Sequence, residues 1–442
     1  VWLNGRVGRA AAPPPDDVRS RVAHLYRRAA FGLHADELDA AAAGGYDAAV
    51  DHLLDLSGPD TGADTAAGSP PALTSPTVTG TPDPKILQAE VNALGVWWVQ
   101  RMASSTTPLR ERLALFWHGH FATSVQKVRI PALMLRQNEI FRTQGSSNFE
   151  ALAQAVAKDP SMLLWLDANQ NRRQSPNENF ARELFELFTL GIGNYTEDDV
   201  KNSARAFTGW QYQRARDTFA VAPAFHDDGI KTVLGQTGAF GGEDVIRLAT
   251  HHPAGPPFVV SKLWSHFARP ATPSDPVVKD LAAGFAKDLD VGRLLAAMFR
   301  HPEFVAPASR TGLVKEPIAY VAGTLRALGL RADGRGLNVV NVLTNLGQQP
   351  FAPPNVGGWP QNGYWLTTSF ALARLRFAAS VAQRADVQPL AAAPPADRPA
   401  AAARLLSVDG WGATTSAALA KVADDPRSLL TLALVAPEYL LA

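Results

Sequence analysis

DPSMLLWLDANQNRRQSPNENFARELFELFTLGIGNY, residues 159–195, concentrates polar side chains between two apolar runs, and reading it as helix, loop, helix sets the class of the whole chain. Pro160 suits a first helical position, because its ring presets φ and the N–H it lacks has no partner there; Asp159 can accept from the free N–H groups as the cap. The spacing predicts a short helix to about Leu166, a polar loop, and a second helix from about Glu178 to Leu190. Asp167, Asn169, Asn171, Arg173, Ser175 and Glu178 stand at positions 1, 3, 5, 7, 9 and 12 of the helix-loop-helix calcium pattern. The turn glycine of that pattern is replaced by Arg172, and Pro176 stiffens the exit. Two readings stand: a calcium ion as cofactor, held by Asp167, Asn169, Asn171 and Glu178, or Asp and Asn serving simply as helix caps and turn residues.

The second helix divides by angle, since each residue advances about 100°. Phe180, Leu184, Leu187 and Phe188 form an apolar stripe, with Glu178, Arg182 and Glu186 opposite as an ion-pair ladder worth ~0.3–0.5 kcal/mol per pair. Glu183 lies at the margin of the stripe. Partial burial there raises a carboxyl pKa and suits it to general acid work, or calls for a neutralising metal or arginine.

Among 442 residues, 46% are hydrophobic, ample for a large core, so most of the chain is expected to be ordered. Lys and Arg number 42 against 41 Asp and Glu, a net charge of +1 that attracts neither nucleic acid nor an anionic membrane. The absence of cysteine rules out disulfides, thiolate metal sites and cysteine nucleophiles. No run of eighteen apolar residues occurs, so no transmembrane segment is expected. A start at Val1, without methionine, fits a mature protein whose targeting segment has been left out.

Helical patterns dominate the rest. Asp16 or Asp17 caps an amphipathic helix through Ala30, Ala35–Leu56 breaks at Gly44 and Gly45, and residues 57–83 read as a long loop. From 208 to 242 the pattern changes to short β-prone pieces and glycines. The expected fold is mainly α: one large multi-helix domain over 1–386 with a small β-hairpin insert at about 208–242, and a linker plus C-terminal helical subdomain over 387–442 packed on it.

FWHGHF puts His118 and His120 two apart on one helix, about 200° around the axis, so a regular helix cannot offer both to one metal. His120 falls with Leu109, Leu113 and Phe116 and is the one expected inward, with His118 on the other side. FHDDGIK sets His226, Asp227 and Lys231 in the insert, either as loop-borne chemistry or as an Asp-Asp-Gly turn. His251, His252, Lys262 and His266 receive no role. Trp98, Trp117, Trp165, Trp210, Trp264, Trp359 and Trp365 lie near polar motifs, as in a sugar-binding cleft, though tryptophan commonly fills cores. No GxGxxG after a strand, phosphate-loop lysine motif, HExxH or GxSxG occurs, so no nucleotide cofactor is expected.

HLYRRAAFG, ERLALFWHGHFATS, PNENFARELFELFTLGIGNYTEDDV, ARAFTGW, FHDDGIKTVLGQTG and PPNVGGWP follow one another in that order, and together they resemble the bacterial family known as domain of unknown function 1800 over nearly the whole chain. The resemblance implies export, often by the twin-arginine route, and an exported partner similar to alkaline phosphatases and sulfatases. Its recurring polar positions match His118, His120, Asn177, Glu178, Arg182, Glu183, Thr208, Trp210, His226, Asp227 and Lys231.

The leading functional expectation is an exported hydrolase of a glycan or other polyhydroxylated polymer. Glu183 is its acid and Asp227 or Glu178 its second carboxylate, with His120 and His226 also in the catalytic set. His118, Arg182, Lys231, Trp210 and Trp359 orient substrate. The alternatives are a metal-dependent enzyme ligated by His120, Glu183 and His226, and a non-enzymatic scaffold with a structural calcium site. Glu183, His120 and either His226 or Lys231 are expected to meet across one polar cavity.

Overall fold

Proline opens helix after helix, and an Asp before it repeatedly supplies the cap. In a computed structural model, which describes residues 16–80 and 83–441, this holds for the helices Pro84–Ser104, Pro160–Trp165 and Pro426–Leu434. Asp83 accepts from Lys85 N, Asp159 from Ser161 N and Met162 N, and Asp425 from Arg427 N and Ser428 N. Proline loses nothing at this position, because the first N–H groups of a helix have no partner inside it.

The architecture is mainly helical, with two small antiparallel hairpins as its only named strands among the described residues. Trp210–Gln213 pairs with Thr218–Val221 in the register Trp210 to Val221, and Lys231–Val233 pairs with Gln236–Gly238. Both lie in the expected insert. One hydrophobic cluster runs from Val22 to Tyr439. The helix Pro108–His120 lies at its centre and is buried on every side except at Arg110 and Gly119. Beyond residue 386 the chain is fastened to the rest: Arg427 donates to Ala382 O at 2.8 Å, Ser407 Oγ to Leu33 O at 3.0 Å, and Val314 bridges Leu441. No helix among the described residues is long and apolar enough to cross a membrane.

Three local expectations need correction. Within the stretch read as a loop, Thr61–Ala67 is a helix, because Asp60 is buried, caps Ala63 N at 3.1 Å, and accepts from Ser105 Oγ at 2.5 Å and Thr106 N at 2.8 Å. The helix after the polar loop is α only over Asn179–Glu183; Leu184–Thr189 is a π-helix, in which Leu190 N and Gly191 N both reach Phe185 O at 2.9 Å. A π-turn widens the helix and displaces the 100° wheel, and such turns concentrate at functional sites. His118 does not face outward. A helix wrapped on all sides buries both of its histidines, and His118 is 1% exposed among Trp98, Phe141, Phe351 and Trp359.

Candidate functional site

A cavity of about 460 Å³ opens beside the central helix. Arg28 reaches it from the Val18–Ala29 helix, Arg112, Phe116 and His120 from Pro108–His120, Lys262 and His266 from Gly255–Phe267, and Lys315 and Glu316 from the turn before Pro317–Ala327. Trp359 and Trp365 supply aromatic wall. The PPNVGGWP loop is held there by a close backbone approach: Gly358 has φ +81°, and a Cβ on it would fall 2.1 Å from Gly119 O in FWHGHF. Only glycine meets both conditions, which joins two motifs that are far apart in sequence.

The charges lining the cavity do not cancel. Arg112 donates to Glu316 Oε1 at 2.7 Å, and Gln348 occupies Oε2 at 2.7 Å, so that carboxylate is fully engaged. Arg27 also faces the cavity but pairs with Asp409 at 3.2 Å. Arg28, Lys262 and Lys315 have no ion pair among the described residues. Arg28 is 1% exposed, donates to Ser309 O through Nη2, and leaves Nε without a partner. His266 Nε2 and Trp359 Nε1 are likewise buried without partners. Burial lowers the pKa of Lys262, although the residue keeps accessible surface at the mouth. His120 is held down to about 3 by burial, then by Lys262, against the hydrogen bond to Phe188 O. Its Nε2–H donates to that carbonyl at 3.0 Å, since a carbonyl can only accept.

The residues named from sequence divide into three places. His120 and Trp359 line the cavity. His118 lies behind Trp359, its rings 5.2 Å apart, with its pKa held down to about 3 by burial. His226, Asp227, Lys231 and Thr208 form a separate knot. Arg205 binds Asp227 through Nε at 2.8 Å and Nη2 at 3.2 Å; Asp227 N donates to Thr208 Oγ1 at 2.8 Å; His226 Nδ1–H donates to Thr208 O at 2.8 Å. Lys231 is 1% exposed and spends its ammonium on Asp227 O at 2.6 Å and Gly229 O at 2.9 Å. The Arg205 hydrogen bonds, opposed by burial, hold the Asp227 carboxyl below its ordinary pKa. This knot fastens the insert to the helix Glu197–Ala206, and Trp210 packs nearby on Phe207 and Phe219.

Glu183 joins neither group. It is half-buried, makes no hydrogen bond or ion pair with a described residue, and has its pKa raised by burial first and by Glu186 next. The expected meeting of Glu183 with His120, His226 and Lys231 across one cavity does not form: of the four only His120 lines the cavity, bonded to Phe188 O of the π-turn that follows Glu183, while His226 and Lys231 are committed to carbonyls within the knot. No group of three or more His, Cys, Asp or Glu side chains among the described residues is arranged to hold a metal, so His120, Glu183 and His226 are not a ligand set here. Arg182 binds Glu178 at 2.9 Å and Glu197 at 2.8 Å, whereas Glu186 leaves the expected ladder and accepts from Tyr195 at 3.2 Å.

The polar loop is likewise held by protein donors. Asp167 pairs with Lys127 at 2.8 Å, Asn169 accepts from Tyr212 N at 2.8 Å, Asn171 from Asn177 N at 2.9 Å, and Glu178 from Arg182. With one oxygen of each expected ligand already occupied, chelator should leave the melting temperature unchanged. A fall of several degrees that Asp167→Ala abolishes would restore the calcium site.

Residues 24–441 match the family described as "Protein of unknown function (DUF1800)". The chain belongs to this family. No curated protein and no solved structure matches it. In this chain the FHDDGIK and ARAFTGW residues serve structure by closing the knot, and Gly119 receives Gly358. Arg28 lies within HLYRRAAFG, where it looks like one of two ordinary basic residues in the last turn of a helix, and Lys262, His266 and Lys315 sit in stretches with no local signal.

Proposed function

We propose that the chain binds a small anionic ligand, or the anionic end of an acidic polymer such as a uronate- or sulfate-bearing glycan, in the cavity beside FWHGHF. One observation carries this reading: Arg28, Lys262 and Lys315 face one cavity without an ion pair among the described residues. Burying an uncompensated cation costs several kcal/mol, on the order of what a bound anion with charge-assisted hydrogen bonds returns. The unpartnered Arg28 Nε and Trp359 Nε1 are donors, and Trp359 and Trp365 suit the flat face of a sugar or another ring. Export and a sulfatase-like exported partner belong to this reading through the family resemblance alone.

Hydrolysis by carboxylate chemistry is a second reading, carried by Glu183, a half-buried and unpartnered carboxyl whose raised pKa suits a general acid. Asp227 and Glu178 are bound by arginine, and the charges acting on Glu183 are those of Glu186, which raises its pKa, and Arg182, which lowers it.

Glucuronate, sulfate or phosphate at saturation should raise the melting temperature, with about 2.7 kcal/mol gained at 100 times Kd, while glucose should not. Lys262→Met, at the mouth and tolerant of change, should weaken binding roughly ten- to a hundredfold, the worth of a charged hydrogen bond. Equal response to glucose, or unchanged affinity in the variant, would overturn the reading.

A further inference from the structure

Lys315 differs from the other cavity cations in how it is held. Its backbone is clamped: the N–H donates to Leu440 O at 2.8 Å, its carbonyl accepts from Arg374 Nη2 at 3.5 Å, and Val314 pairs with Leu441. The side chain is directed over the ring of Tyr439, with Nζ 3.6 Å from the centroid, and it lines the cavity. Tyr439 is fixed in turn by a 3.0 Å hydrogen bond between its hydroxyl and Thr324 Oγ1. Nζ has no hydrogen-bond acceptor among the described residues, and both oxygens of the adjacent Glu316 carboxylate are engaged by Arg112 and Gln348.

We infer that Lys315 is a reactive amine that forms an imine with small anions carrying an aldehyde or keto group; this rests on the anion-binding reading. Three features of the geometry support it. The amine is positioned by its backbone and by Tyr439, it opens onto the cavity, and Arg28 and Arg112 beside it can hold the anion of the same ligand. Burial, followed by the charges of Arg27, Arg28 and Arg112, lowers its pKa well below that of an ordinary lysine. A lysine desolvated among other cations holds its proton less tightly than an ordinary lysine, so a larger share of the amine carries a free lone pair, which is how amine nucleophiles are activated.

In the step itself, the Nζ lone pair attacks the carbonyl carbon and the C–O π electrons move to oxygen. The two protons of the attacking amine leave with that oxygen as water, and a C=N bond replaces C=O. Protonation of the nitrogen gives an iminium next to the bound anion. Tyr439 faces the new cation and stabilises it through its π electrons.

Pyridoxal 5′-phosphate is a suitable probe, because it carries a phosphate, a flat ring and an aldehyde; pyridoxine 5′-phosphate has the same anion and ring without the carbonyl. The full chain is treated with the aldehyde, reduced with borohydride and mapped by peptide mass spectrometry. Melting temperatures are recorded with pyridoxine 5′-phosphate in parallel. Lys315 should be modified about tenfold or more faster than any other lysine, with pyridoxine 5′-phosphate slowing it, and Lys315→Met should lose that label while Lys201→Arg, on the exposed surface away from the cavity, keeps it. A melting shift with pyridoxine 5′-phosphate but no preferential label at Lys315 overturns the reactive amine and leaves anion binding standing. Neither shift nor preferential label overturns both. Mapping on the native chain decides the matter even where the methionine variant fails to fold.

Discussion

Glu111→Ala should destabilise the protein by ~3–5 kcal/mol, the cost of stranding buried charge by removing one partner of an ion pair. Glu111 is fully buried, and its carboxylate takes four donors: Trp98 Nε1 at 2.9 Å, Arg101 Nε at 2.9 Å, Arg142 Nε at 2.7 Å and Arg142 Nη2 at 3.0 Å. Both guanidiniums also flank Trp97, at 5.3 and 5.4 Å from its ring. The network ties Pro84–Ser104, Pro108–His120 and Pro131–Gln144 together at the start of the central helix. Burial alone would raise the carboxyl pKa; Arg142 and then Arg101 outweigh it, and the net shift is downward. The contribution is therefore present at neutral pH and is lost as pH falls through the folded-state value. Urea midpoints at pH 7 check the first statement. A loss under about 1 kcal/mol, the scale of a surface pair, would show that the cluster carries no net weight.

Asp159 should give the opposite slope. It is 2% exposed, and burial pushes its carboxyl up to about 7, against the hydrogen bonds from Met162 N and Ser161 N and the charge of Arg136. Because the folded state holds this proton more tightly than the unfolded chain, the native fold binds the extra proton between the ordinary value of 3.8 and about 7. Stability falls as pH rises through that window, by ~4 kcal/mol if the whole shift is realised, at about 1.36 kcal/mol per unit. Asp159→Asn retains an oxygen for the cap and for Gln137 Nε2 at 2.9 Å, so helix Pro160–Trp165 should persist. The variant should match the parent near pH 4 and exceed it at pH 8. Parallel stability profiles across that range would remove the buried-proton account.

These two carboxylates also mark the limit of local reading. Asp159 is legible as a cap because the partner N–H groups lie two and three residues away, whereas its burial depends on Gln137 and on helices placed by the whole core. Glu111 looks like an ordinary first-turn acid until Arg101 and Arg142 close over it. The angle of Glu183 places it at the margin of the stripe, and partial burial and a raised pKa follow from that position; its companions do not, because His120 is spent on Phe188 O one turn further along and His226 on Thr208 O in the knot.

The sequence by itself determined the helical class, the hairpin insert, the break at Gly44 and Gly45 and the family, since caps, prolines, glycines and periodicity act over a few residues. Tertiary structure alone decided the π-turn at Leu184–Thr189, the helix Thr61–Ala67 and the burial of both FWHGHF histidines. It also decided the cavity. Arg28, Lys262 and Lys315 come from three separate stretches, and each looks like a solvated surface charge in its own neighbourhood. Only the packing of helices around Pro108–His120 brings them to one space, burying Arg28 and the Lys315 amine and leaving Lys262 at the mouth, because desolvation is a property of the assembled fold rather than of any local run of residues.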